Sequence, residues 1–183
     1  EASKKEPNKY KFSANSGASS HYVAAALQKA GAKFNIIDSG GAADRIVALL
    51  GGHTDMIPAS VPGVRDYLKT GKFKILAVCT ADRLKDYPNI PTLKESGVDC
   101  VYNYNYTLFF PKGTDPAIAQ KYNDAVKKIT ANNKNYQEDI KKAYMQEPYR
   151  LDMEASKKYW EGELAGLAKL SDVIQGKIAK AAK

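Results

Sequence analysis

Along the first hundred residues, short apolar runs alternate with amphipathic ones, and loops of small polar residues separate them. Tyr10 to Ala14 alternates with the period of a strand, and Asn15-Ser16-Gly17-Ala18-Ser19-Ser20 follows as a loop. A helix is predicted from about His21 to Ala30, with Tyr22, Val23, Ala26, Leu27 and Ala30 on one face. Ser19 or Ser20 is its expected N-cap, and Gly31 its end. The unit then repeats as strand Phe34 to Ile37, loop Asp38-Ser39-Gly40-Gly41, and helix Ala42 to Leu50 closed by Gly51-Gly52. A short strand at Asp55 to Ile57 leads to a helix from about Pro62 to Lys69. Strands alternating with helices of this length imply right-handed crossovers onto a mostly parallel sheet flanked by helices, an α/β fold.

Phe73 to Cys79 is nearly continuous in apolar residues, so it is predicted to be a central strand covered on both faces. After a polar loop, Thr92 and Glu95 have capping-box spacing for a helix of one or two turns that Gly97 ends. Val101 to Phe110 carries Tyr102, Tyr104, Tyr106, Phe109 and Phe110 in an extended segment of alternating faces. Beyond it the chain turns helical. Asp115-Pro116 caps a helix to about Thr130, a second covers about Asn135 to Met145, and Asp152 caps a third that runs through Tyr159, Trp160, Leu164, Leu167 and Leu170. Residues 1–8 are charged, contain Pro7, and read as a disordered entry.

Composition narrows the classes. With 183 residues, 44% hydrophobic, the chain can build one core and part of another. No aliphatic run exceeds the five residues of Val23 to Leu27, far short of the roughly 20 residues a membrane-spanning helix needs. The net charge of +8 is spread evenly, since residues 1–100 and 101–183 each hold 14 basic and 10 acidic side chains. Pairs such as Lys127-Lys128, Lys141-Lys142 and Lys157-Lys158, and the scatter at Lys177, Lys180 and Lys183, fit solvated helix faces better than a phosphate-tracking stripe. The aromatics of 102–110 can stack bases but suit a half-buried strand better, and nucleic acid is not expected as a partner.

Material for catalysis is thin. His21 and His53 are the only histidines, and neither has a second ligand at metal spacing, so no metal and no cofactor is expected. Cys79 and Cys100 cannot form a four-ligand zinc site; Cys79 reads as a small buried hydrophobe, and a disulfide between the two stays open for an exported chain. Ser20 and His21 adjoin each other, whereas a nucleophile and its base normally come from separate elements. The two Gly/Ser loops carry more. A strand feeding small residues into a helix presents backbone N–H groups at the positive end of the helix dipole, and two such junctions at one crevice make an anion site. Ser16, Ser19, Ser20 and Ser39 add hydroxyl donors. Neither loop has the spacing of a phosphate-gripping or dinucleotide motif, so a small organic anion is the better ligand. Asp44 is placed to strengthen a helix start, and Asp38 to bind an ammonium or face water.

The order of motifs resembles a known family. Gly17-Ala18-Ser19-Ser20-His21 opens a helix, then come Gly40-Gly41, Ala48-Leu49-Leu50-Gly51-Gly52-His53-Thr54-Asp55, Ala81-Asp82-Arg83, Tyr87-Pro88-Asn89-Ile90-Pro91-Thr92, and Phe110-Pro111-Lys112-Gly113-Thr114-Asp115. Together they are similar to the solute receptors of tripartite tricarboxylate transporters, the Bug proteins, over about Tyr10 to Gly176. The resemblance implies an extracytoplasmic, periplasmic receptor of the type II periplasmic-binding-protein fold that captures a small carboxylate and hands it to a membrane permease, with no chemistry of its own. It implies ligand contacts at Ser16, Gly17, Ala18, Ser19 and Ser20, at Ser39, Gly40, Gly41 and Ala42, and at Ser60. Ala18 stands where many members have Ser or Thr, which removes a hydroxyl, and Asn105 stands near a common Trp, which makes the cleft wall more polar. Family members are longer. The resemblance therefore divides the chain into a disordered 1–8, a second α/β lobe at 9–103, and a mainly helical return segment at 104–183 of an incomplete first lobe, whose exposed edges invite dimerisation or strand exchange. A sensor module presenting a carboxylate to a signalling partner, and a hydrolase using Ser20 and His21, are the alternatives.

Overall fold

The computed structural model describes residues 2–171, 173 and 174; Lys177, Lys180 and Lys183 lie outside the described residues. By internal contacts the chain divides into two compact units, one running to Tyr104 and resuming at Leu167, the other spanning Asn105–Gly166.

The first unit begins with a helical turn, α1 (Ala2–Lys5), where a disordered entry was expected. Lys33 N–H donates to the Ser3 hydroxyl, and Asn8 N–H donates to Lys33 O, so this end is tied to the body of the unit. Strand β1 (Lys11–Ser13) pairs in parallel with β2 (Asn35–Ile37), with Lys11 opposite Asn35, Phe12 opposite Ile36 and Ser13 opposite Ile37. On its other side Phe12 bridges Met56, again in parallel. Ser13 N donates to Met56 O at 2.9 Å while Ala14 N donates to Ile37 O at 2.9 Å, which makes β1 central between two parallel neighbours. The Asp55 to Ile57 strand of the sequence reading is thus a single bridge.

Helices α2 (Ser19–Lys29), α3 (Ala42–Leu50) and α4 (Val61–Lys69) follow these three strand segments in turn. Helix α2 buries Val23, Ala24, Ala25 and Ala26, and its short side chains let the backbone lie close to Phe12 and Phe34, whose rings stack 4.9 Å apart. Cys100, Leu93 and Leu170 complete this core.

Two expectations fail here. Phe73 to Cys79 is not a central strand. Its described pairing is one bridge, Val78 with Thr92, and Leu76 is 65% exposed, so the run is covered on one side only. The expected serine N-cap of α2 is absent as well, because Ser20 Oγ accepts from Asn15 N at 2.8 Å and the helix starts at Ser19, with Ala18 as N-cap. Thr92 and Glu95 do form the reciprocal capping pair, at 3.0 and 2.7 Å, around a single hydrogen-bonded turn.

The second unit holds α5 (Pro116–Asn132), α6 (Lys134–Tyr144) and most of α7 (Met153–Ala168). Residues 105–110 form no strand; their rings pair with helices instead, Tyr106 with Tyr144, Phe109 with Trp160 and Phe110 with Tyr122. An extended segment without a strand alongside it has no ladder to join, and here side-chain packing holds it.

Candidate functional site

In a parallel sheet all strands end at the same edge, so three consecutive strand–loop–helix units bring three helix N-termini together there. The loops are 14–18 before α2, 38–41 before α3 and 57–60 before α4. This edge gathers Ser16, Gly17, Ala18, Ser19, Ser20, Ser39, Gly40, Gly41, Ala42 and Ser60 onto neighbouring junctions. Ser16, Gly17, Ala18, Gly41, Ala42 and Ser60 are exposed, Ser19, Ser39 and Gly40 are half-buried, and Ser20 is buried.

Asp38 joins the first two loops. Its carboxylate accepts from Ser16 N at 3.0 Å and from Gly40 N at 3.1 Å. Those two N–H groups, Ser16 first, hold the carboxyl below its ordinary value of 3.8; the Ser16 hydroxyl and the field of His21 act in the same direction against a small burial cost. Neither sequence expectation for Asp38 included this bridge. Only its Gly40 half had a signal, the Asp-Ser-Gly order, since an Asp side chain commonly bonds the N–H two residues on.

The first loop is closed from inside. Gly17 N donates to His21 Nδ1 at 3.3 Å and Asn15 N to Ser20 Oγ, so the adjacent serine and histidine of the hydrolase reading both commit these atoms to the loop backbone. Gly17 and Gly40 have φ of +77° and +79°, a region that side-chain-bearing residues rarely enter. A Cβ on Gly40 would also lie 2.8 Å from Asp44 Oδ2. Asp44 itself accepts from Gly41 N at 2.8 Å, strengthening the start of α3 as expected.

The helix ends differ between the units. Ala18, Gly41 and Ser60 make no side-chain cap bond to α2, α3 or α4. In the second unit Asp115 accepts from Ala117 N at 2.8 Å, Asn133 from Tyr136 N at 3.0 Å and Asp152 from Ala155 N at 2.9 Å. Among the described residues, then, none of the three N-cap positions at the sheet edge offers its helix a side-chain acceptor. Ser13 Oγ, buried at the end of β1, also has no hydrogen-bond partner among the described residues. No group of three or more His, Cys, Asp or Glu that could hold a metal occurs among the described residues. A polar groove of about 350 Å³ beside Asn123, Lys127 and Arg150 belongs to the second unit.

Parallel strands with helix N-termini gathered at one edge make an α/β fold, and its match to solved structures makes it one of the periplasmic-binding-protein kind. R. palustris Rpa4515 with adipate superposes with a TM-score of 0.76 at 20% identity, covering 95% of this chain and 58% of that one. A TctC solute binding protein from Polaromonas gives 0.67 at 31% identity, over 98% of this chain and 59% of that one. Among curated proteins, the UPF0065 protein in the gbd 5'region of Cupriavidus necator is 40% identical over 124 residues, 68% of this chain and 37% of that protein. The tripartite tricarboxylate transporter family receptor model matches residues 1–175, and the chain belongs to that family. It spans well under two thirds of the length of these relatives. No described helix is long and apolar enough to cross a membrane.

Proposed function

We propose that this chain is the ligand-gripping part of an extracytoplasmic receptor that captures a small carboxylate, without chemistry, for delivery to a membrane permease. The observation that carries the reading is the contrast in capping. The N-cap residues of three adjacent helices at the sheet edge, Ala18, Gly41 and Ser60, give no side-chain cap bond, whereas those of the second unit do. An external carboxylate supplies the missing acceptor, and the converging helix dipoles favour its charge. Asp38 holds the loops in register, so the grip falls to the first-turn N–H groups with Ser19, Ser39 and Ser60 as hydroxyl donors. Rpa4515 was solved with adipate, which supports a linear carboxylate as ligand class. In this reading residues 9–103 are the second lobe and the chain from 104 onward the returning segment of the first, except that Leu170 packs in the core of the first unit.

Titration calorimetry of the receptor at the length of its relatives, against a panel of mono-, di- and tricarboxylates including adipate, tests this. Saturable binding is expected, and Gly40→Ala is expected to weaken it at least tenfold because the loop cannot keep a positive φ beside Asp44. Absence of any binder at millimolar concentration would overturn the reading.

A further inference from the structure

Both cysteines lie in the first unit and face the same core. Cys100 is fully buried in that core, and the half-buried Cys79 packs against it. The backbones are tied as well: Tyr102 N donates to Cys79 O at 2.7 Å, and Val78 is held by Pro91 O and Leu93 N at 3.0 and 2.8 Å. Three stretches of chain thus meet at this pair, and the contact closes a loop whose ends are 21 positions apart. We propose that Cys79 and Cys100 are a redox pair that closes to an intramolecular disulfide, fastening the end of the Phe73–Cys79 run to the stretch that leaves the first unit at Tyr104.

The order of events follows from access and charge. The Cys79 thiol is held below its ordinary value because Cys100 donates to its sulfur, with burial acting in the opposite direction. As the more accessible sulfur, with its thiol held below the ordinary value, Cys79 attacks a small disulfide oxidant such as oxidised glutathione and releases one thiolate. Cys100 then loses its proton and attacks the Cys79 sulfur of the mixed disulfide, releasing the second. Two electrons pass to the oxidant, which takes up two protons as two thiols, and one sulfur–sulfur bond forms in the protein. The site takes part in no step of the proposed carboxylate capture, and its test is independent of that reading.

The test exposes the folded chain to oxidised glutathione. The expected result is loss of both thiols together, an intact mass lower by about 2 Da, a Cys79–Cys100 cross-link in the non-reducing peptide map, and a Tm raised by roughly 5 °C. Cys100→Ser is expected to trap glutathione on Cys79, and Cys79→Ser to react at least tenfold more slowly at the buried Cys100. Should either variant fail to fold, the thiol count and peptide map of the unaltered chain still decide. Persistence of both thiols in the folded chain, cross-links only between copies, or a stalled mixed disulfide would overturn the proposal.

Discussion

A carboxylate one residue beyond a strand end can turn to solvent or take up nearby N–H groups, and Asp38 does the latter across two loops. Its pKa is lower in the folded chain than unfolded. The stability it contributes is therefore fully present above the unfolded value near 3.8 and is lost as pH falls through the folded value. Glu95, lowered chiefly by Arg83, whose Nε lies 3.0 Å from both carboxylate oxygens, acts with the same sign. The urea midpoint should accordingly drop below about pH 4, and Asp38→Asn should make that drop shallower, a comparison read from unfolding curves between about pH 2 and 6. An unchanged acid limb in Asp38→Asn would show that the bridge does not survive in solution. The candidate loops were legible in sequence as Gly/Ser-rich junctions. The bridge was not, because Ser16 and Asp38 are 22 positions apart and only strand pairing brings them within 3.0 Å.

Capping is a property of whole elements, and there the two units should respond differently. Asp115→Ala removes a real acceptor from α5 and is expected to cost about 1 kcal/mol, whereas Ser60→Ala, which removes no cap bond from α4, should stay within about 0.5 kcal/mol. Paired urea unfolding curves check this; equal losses would mean that Ser60 caps its helix after all and that the anion site is weaker by one helix. Periodicity located helix α3 at Ala42–Leu50 and the Asp115 and Asp152 caps, since those signals are local. It misplaced Phe73–Cys79, because an apolar run says which residues avoid water and not which neighbour will pair with them. It also misread the start of α2, where Ser20 answers Asn15 rather than its own helix.

For the molecule as a whole, large apolar side chains stand in solvent in both units, among them Val47 at 66% and Phe109 at 74% exposure. Scattered exposure is ordinary, but Tyr106, Leu108 and Phe109 are near-consecutive on one extended segment. The chain by itself should bind a hydrophobic dye and sediment faster as its concentration rises, and Tyr106→Ser with Phe109→Ser should reduce both. A concentration-independent monomer that binds no dye would show that this segment is covered in solution. Local chemistry was enough to determine the alternating α/β units, most helix ends, the small-residue loops and the absence of a nucleotide motif, because propensity, capping and turn geometry act over a few residues. Family membership was legible for the same reason, as a series of short motifs in order. The parallel register, the Asp38 bridge, the bare helix starts at one sheet edge and the meeting of Cys79 with Cys100 were decided by the tertiary structure alone. Each is a contact between residues far apart in the chain, and which distant groups become neighbours depends on how the whole core packs.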